Sequence, residues 1–117
     1  MGLFKDDFVR KVEKMQAEAQ KQLAIDLANT EMCEQGIAAE HEGNIEKAIE
    51  IYETLLKRKF DGTHPYRSLC TIYHKQKRFD DEIRVIKCLR KVTPAKRYKE
   101  QNKYRWYDKR YEELKSK

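Results

Sequence analysis

Apolar residues recur every three or four positions through two neighbouring stretches, and a short polar turn separates the stretches. The apolar positions are Met32, Gly36 and Ala39 before the turn, and Ala48, Ile49, Tyr52, Leu55 and Leu56 after it. The segment 43–45 favours a turn, and Asn44 is a good N-cap for a helix that begins at Ile45. Apolar stripes at this spacing indicate amphipathic helices. The pattern therefore predicts a helical hairpin with helices over about 30–42 and 45–60.

The same pattern returns 34 residues later. At that offset, residues of similar size or polarity align as follows: Met32 with Tyr66, Gly36 with Cys70, Ala39 with Tyr73, Ile45 with Phe79, Ile49 with Ile83, Tyr52 with Ile86 and Leu55 with Leu89. The dipeptide Asp61-Gly62 is a loop signal between the two copies, and Pro94 stands where the second copy must stop. We therefore expect a second hairpin with helices over about 64–77 and 80–92.

Two helix–turn–helix units at this period resemble the tetratricopeptide repeat family, with repeats at about 29–62 and 63–96. The resemblance implies an all-α fold in which the hairpins stack into an α-α superhelix. It also implies a binding groove lined by the first helix of each hairpin. Two positions depart from the family: Cys70 replaces the small glycine, which is a mild change, and Glu82 stands where alanine is usual. Either its carboxylate lies at the rim in water, or the second hairpin docks at an altered angle.

The segment 1–28 is predicted to be an N-terminal helix with a narrow apolar stripe. Its stripe consists of Phe4, Phe8, Val12, Met15, Ala19 and Leu23. Asn29 and Thr30 are the capping candidates before the next helix, so a slight break is expected there. Two interpretations stay open: the helix caps the first repeat, or it binds another chain.

The segment 97–117 is predicted to belong to a C-terminal capping helix over about 95–115. Its large residues are Tyr98, Arg105, Trp106, Tyr107, Tyr111 and Leu114. In a repeat protein the last hairpin needs a helix with a polar outer side to cover its apolar face. With 117 residues, the whole chain, 1–117, is expected to be a single domain.

Charge is divided unevenly along the chain. Residues 1–28 carry five basic and five acidic side chains, and residues 29–62 carry four and eight. Residues 63–96 carry nine basic and three acidic side chains, and residues 97–117 carry eight and four. The first repeat is therefore acidic and the second half of the chain basic, an asymmetry that indicates either a partner-binding or assembly surface or simply a solvated, lysine-rich surface.

The family resemblance implies a groove along the polar side of each first helix. The positions that we expect to line it are Ile37, His41, Arg67, Thr71, His74, Lys75, Asn102, Arg105 and Lys109. Its basic members favour a protein or peptide partner with an acidic stretch. The clamp for a terminal carboxylate that the family uses needs Lys and Asn where Cys33 and Ile37 stand, so the sequence does not support that specificity.

No motif of a catalytic or cofactor-binding site occurs in the sequence, and we expect neither an enzyme nor a cofactor. His41, His64 and His74 map to or beside the groove with Cys33 nearby, but without the close ligand pair typical of zinc sites, so no metal is expected. Three unpatterned cysteines favour a reducing, cytoplasmic location. No apolar run approaches the ~18 residues of a membrane helix, so no membrane contact is expected.

The sequence thus predicts a protein–protein interaction module, either an adaptor or an assembly partner. Two alternatives remain. The basic second half, with its interleaved aromatic rings, is also typical of a nucleic-acid-associated protein. The N-terminal stripe would also suit a self-assembling structural subunit, that is, a homo-oligomer formed through that helix.

Overall fold

The computed structural model describes residues 2–116, with side chains from residue 6 onward, and that part of the chain consists of helices joined by turns and loops, with no strand. The all-α class is therefore confirmed. The elements are α1 (Gly2–His41), α2 (Ile45–Lys57), α3 (His64–Lys75), α4 (Phe79–Val92), α5 (Ala95–Glu100), a 3₁₀ turn (Asn102–Tyr104) and α6 (Arg105–Lys115).

Residue contacts divide the chain into two compact units. The described residues of the first unit, which ends at Glu31, all belong to α1. The second unit begins at Met32 and contains the last turns of α1 together with α2 to α6. The buried core lies in this second unit.

Helix α1 has no break at Asn29 and Thr30, so the predicted break there is wrong. The Thr30 hydroxyl donates a hydrogen bond to the carbonyl oxygen of Asp26, 2.9 Å away and one turn earlier. Threonine can satisfy its hydroxyl in this way inside a helix, and it then gives no capping signal. The stripe residue Phe4 lies outside the described side chains.

The turn of the first hairpin recurs in the second hairpin at the 34-residue offset. Gly43 ends the first helix at φ +80°, and Lys77 occupies the equivalent position at φ 58°. The backbone N–H of Asn44 bonds to Ala39 O and that of Arg78 bonds to Tyr73 O, each over 2.8 Å. Both helices thus end on a left-handed residue that closes the last turn. The predicted period is present in the backbone itself.

Helix α2 begins at Ile45 as predicted and ends at Lys57, three residues before the predicted end at 60. Asn44 caps it, since its side-chain Oδ1 accepts a hydrogen bond from Lys47 N over 3.3 Å. Lys59 then reverses the chain at φ 57°, and Phe60 N bonds back to Leu55 O. This reversal leads into α3, where Pro65 stands in the first turn.

The predicted C-terminal helix over 95–115 is interrupted. Gln101 has ψ 121°, an extended backbone that ends α5, and the 3₁₀ turn then leads into α6. The interruption lets the Tyr104 ring stack on Tyr98 at 4.8 Å between centroids. Tyr104 and Tyr107 are both buried. Burial of two large rings offsets the lost helical hydrogen bonds.

Glu82 is fully buried at the position equivalent to Ala48, so a carboxylate at a water-exposed rim is ruled out. His74 Nδ1 lies 2.9 Å from Glu82 Oε2, and Arg110 Nη1 lies 3.5 Å from Oε1. A buried carboxylate needs such partners, because isolated burial of a charge is very costly. Glu82 therefore joins α4 to both α3 and α6.

Candidate functional site

A surface cleft of about 520 Å³ lies along α3 and faces the turn between α1 and α2; we call it the α3 cleft. Its lining residues are Glu40, Ile45, His64, Arg67, Ser68, Thr71, Ile72, Lys75 and Gln76. Apolar side chains, basic groups and small hydroxyls are thus combined in one concave surface. Such a combination is typical of a binding site with an apolar floor and polar groups that orient the ligand.

The cleft exists because α3 has two chemically different faces. Its buried residues include Tyr66, Leu69, Cys70 and Tyr73, which pack into the core. Positions 67, 68, 71 and 75 recur at helical spacing on another side and are exposed or half-buried. Ile72 belongs to both environments, since it is 8% exposed and also lines the cleft.

Arg67 is held in place by an aromatic contact with α6. Its guanidinium carbon lies 3.5 Å from the centre of the Trp106 ring, and that of Arg110 lies 4.8 Å from it. A guanidinium over an indole is attracted by the ring and keeps its charge. Arg67 is therefore both a fixed cation of the cleft and part of the packing of α6.

A hydrogen-bonded group at the start of α3 joins the cleft to the core. His64 Nε2 lies 3.3 Å from the Ser68 hydroxyl and 3.4 Å from the phenol oxygen of Tyr52. Burial, and then the nearby Glu40 carboxylate, raise the pKa of Tyr52 well above its usual range. The phenol is therefore neutral and remains a hydrogen-bond partner rather than a base.

Three of the predicted groove residues, Arg67, Thr71 and Lys75, line the α3 cleft together. Ile37 is half-buried and His41 exposed near the end of α1, and neither lines the cleft. The other four are distributed elsewhere: His74 contacts Glu82, while Asn102, Arg105 and Lys109 are exposed and do not line the cleft. A groove that continues onto the last helix stays a prediction.

Sequence reasoning placed neither Ile45, Ile72 nor Gln76 in the site. Ile45 opens α2, and the turn of the first hairpin brings it to the cleft. Gln76 follows the last residue of α3, one turn after Ile72. The available signal was the continuation of the spacing 68, 72, 76 along α3, because residues four apart lie on one face.

The aromatic rings of the C-terminal segment are engaged within the second unit. Tyr104 and Tyr107 are buried, and the Tyr107 hydroxyl donates to Thr63 O over 3.4 Å. Trp106 packs edge-on against Tyr107, with 5.0 Å between ring centroids. The guanidinium of Arg90 lies 4.3 Å from the centre of the Tyr111 ring. Each ring thus has a partner from the chain itself.

Ion pairs fix α6 and the segment before it. Arg90 Nη2 lies 2.7 Å from Asp108 Oδ1, and the Tyr98 hydroxyl donates to the same oxygen over 2.7 Å. Arg97 reaches Asp61 over 2.7 Å, which joins α5 to the loop between the hairpins. These contacts join the C-terminal elements to the second hairpin and to that loop.

The cysteines are free thiols. Burial raises the pKa of Cys70 to about 12, and burial followed by Glu34 and Glu40 raises that of Cys33. Both are protonated at neutral pH, and the thiol is a far weaker nucleophile than the thiolate. Cys70 is a fully buried core residue.

In residues 2–116 no group of three or more His, Cys, Asp or Glu side chains is arranged to hold a metal ion. His64 lines the α3 cleft and His74 contacts Glu82, while Cys33 is half-buried on α1. Within the same part of the chain, no helix combines the length and apolar content that crossing a bilayer requires.

A second concave surface, of about 420 Å³, lies on α4 alone. It is lined by Asp80, Ile83, Arg84, Lys87, Cys88 and Lys91. Arg84 is already bound to Glu53, with Nη1 to Oε2 at 3.1 Å. This surface belongs to a single helix, and its arginine is already paired with Glu53. It therefore offers a ligand fewer contacts than the α3 cleft does.

Comparison of the chain with models of protein families, with curated proteins and with solved structures gave no match.

Proposed function

We propose that this chain is a protein-interaction module, and that its α3 cleft binds an extended or helical peptide carrying acidic and apolar side chains. The observation that carries the proposal is the cleft itself. Ile45 and Ile72 supply an apolar floor, while Arg67 and Lys75 supply two positive charges beside it. A ligand that fills the floor with an apolar side chain brings a neighbouring carboxylate within reach of these cations.

The cleft also discriminates by charge. Glu40 is its acidic residue and belongs to α1, while both cations belong to α3. A bound peptide should therefore place its carboxylates toward α3 and any basic residue toward Glu40. Complementary charge of this kind fixes the orientation of a ligand more than it raises affinity.

The resemblance to the tetratricopeptide family also supports the proposal, although the proposal does not depend on it. The backbone of the two hairpin turns repeats after 34 residues, and α3 is the first helix of the second hairpin. In that family the first helices carry the ligand groove. We propose an adaptor or assembly role in the cytoplasm, and its three free cysteines suit a reducing compartment.

The alternative of single-stranded nucleic acid finds less support. Base stacking needs accessible aromatic faces. Tyr104 and Tyr107 are 3% and 2% exposed, and two guanidinium groups lie close to the ring of Trp106. The basic groups of the second half remain able to attract phosphates, but without stacking that attraction is nonspecific and weakens with salt.

The test is fluorescence anisotropy with a labelled peptide in which leucine and glutamate recur on one helical face. Lys75→Glu should weaken binding at least ~10-fold, because it replaces an attractive charge by a repulsive one worth about 1.4 kcal/mol or more. Lys99→Glu makes the same change at an exposed position of α5 outside the cleft and serves as the matched control. Arg67 is left unchanged, because it also packs on Trp106. Equal binding by both variants would refute the proposal.

A further inference from the structure

An apolar stripe on the first unit has no partner within that unit. The N-terminal stripe, as we use the term from here on, consists of Phe8, Val12, Met15, Ala19 and Leu23. Its largest members, Phe8, Met15 and Leu23, are 69%, 67% and 59% exposed. The described residues of this unit form one helix, so no second element of the unit covers the stripe. A lone helix is marginally stable in water, and an exposed apolar stripe marks an interaction surface.

The spacing of the N-terminal stripe suits helix pairing. Its members follow one another at intervals of four, three, four and four residues, which keeps them on one side of a straight helix. From Phe8 to Leu23 the stripe extends over ~22 Å. Lys11 and Glu18 flank it along one edge, seven residues apart and therefore on the same side of the helix.

We propose that two copies of this chain associate through the N-terminal stripe as an antiparallel helix pair. A two-fold axis between Lys14 and Met15 sets Lys11 of one copy opposite Glu18 of the other, and the reverse. The same register places Phe8 of each copy between Ala19 and Leu23 of its partner. The interface is thus self-complementary in charge and in apolar spacing, as a two-fold interface must be.

Charge favours a second copy over other occupants. Residues 1–28 carry five basic and five acidic side chains, interspersed along the helix. An anionic membrane or a nucleic acid would require a helix with an excess of positive charge. A neutral helix of mixed charges is not repelled by its own copy, and the antiparallel register converts its edge charges into ion pairs.

Sedimentation equilibrium on the full chain tests the proposal. The chain has a mass of 14.1 kDa, and the unchanged protein should sediment at twice that mass as its concentration is raised. The double variant Phe8→Glu/Leu23→Glu should remain a monomer. Ala17→Glu is the matched control and should dimerise normally, because Ala17 is exposed but lies two residues, or ~200°, around the helix from both Met15 and Ala19. Trp106 lies in the second unit, so unchanged Trp106 fluorescence in the variants shows that the second unit remains folded.

Charge variants test the register. Lys11→Glu should weaken the dimer about tenfold, since two attractive pairs become repulsive. The exchange Lys11→Glu/Glu18→Lys should restore it, whereas failure of the exchange to restore it would overturn the antiparallel register. A chain that stays monomeric at every concentration, including one whose stripe is covered by its own second unit, would overturn the proposal. So would a dimer that survives Phe8→Glu/Leu23→Glu.

Discussion

The two hairpins have the same backbone plan and opposite chemistry at the helix contact. The second helix of the first hairpin begins at Ile45, and that of the second hairpin begins 34 residues later, at Phe79. Both Ala48 and its equivalent Glu82 are fully buried. One hairpin thus places a methyl group where the other places a carboxylate.

This difference shows that the second hairpin is completed from outside itself. His74 comes from its own first helix, but Arg110 comes from α6. The first hairpin has no such requirement at Ala48, because a methyl group needs no polar partner. Two copies of a sequence repeat can therefore have the same backbone period, while each copy depends on different parts of the chain for its stability.

The largest expected effect comes from removing the external partner. Arg110→Met keeps most of the side-chain stem but leaves the buried Glu82 carboxylate with only His74. Breaking a buried pair from one side typically costs ~3–5 kcal/mol. Urea unfolding should show this loss, and Arg105→Met, at an exposed position of the same helix, should change the free energy of unfolding by less than ~0.5 kcal/mol.

A double replacement sharpens that comparison. Glu82→Leu/Arg110→Met removes both charges and should be clearly more stable than Arg110→Met alone, because no buried charge is left unpaired. A double variant as unstable as the single one would mean that Glu82 is not the source of the loss. Additive effects would likewise contradict direct coupling between the two side chains.

A smaller effect is expected at the helix contact of the first hairpin. A methyl group added at Gly36 would lie 2.5 Å from Cε1 of Tyr52, whose ring is fully buried. Gly36→Ala should therefore cost ~1–3 kcal/mol in strain, offset in part by ~1 kcal/mol of helix propensity.

The second hairpin suggests the control for this substitution. There the residues equivalent to Gly36 and Tyr52 are Cys70 and Ile86, and both are fully buried. In a Tyr52→Ile background, Gly36→Ala should become neutral or stabilising when measured by urea unfolding. Destabilisation of equal size in both backgrounds would show that Tyr52 is not what excludes a side chain at position 36.

Helical periodicity was enough to predict the hairpins, their turns and the all-α class. It failed where one residue type serves two conformations. Thr30 can cap a helix or bond its own carbonyl four residues back, and the structure has the second arrangement. The interruption at Gln101 was also missed, because its reason is the packing of Tyr104 on Tyr98. Such packing depends on tertiary neighbours that periodicity does not specify.

The lining of the α3 cleft, which is the candidate site, was predicted in part for a similar reason. Arg67, Thr71 and Lys75 follow from the face of a single helix, so spacing was sufficient. Ile45 reaches the cleft only through the turn between α1 and α2. The environment of Glu82 could not be predicted either, because its partners His74 and Arg110 come from two other helices.

The smallest effect concerns rates rather than stability. Cys70 is fully buried with its pKa raised by burial to about 12, whereas Cys88 is half-buried on α4. At neutral pH iodoacetamide should therefore modify Cys88 well before Cys70, as read by mass spectrometry of peptides. Arg110→Met should accelerate the modification of Cys70, because losing the contact between Arg110 and Glu82 should open the second hairpin, whose first helix carries Cys70. Early modification of Cys70 in the unchanged protein would contradict its burial.

Chemical-shift mapping on the ¹⁵N-labelled chain tests the central proposal most directly, namely that the α3 cleft binds an acidic, apolar peptide. Titration with the leucine–glutamate peptide should shift the amide signals of Ile45, Arg67, Thr71 and Lys75, which belong to the cleft or its rim. The signals of Lys87 and Lys91, on the α4 surface, should stay unchanged. Peptide-induced shifts confined to the α4 surface or to α6, with α3 unaffected, would contradict the account.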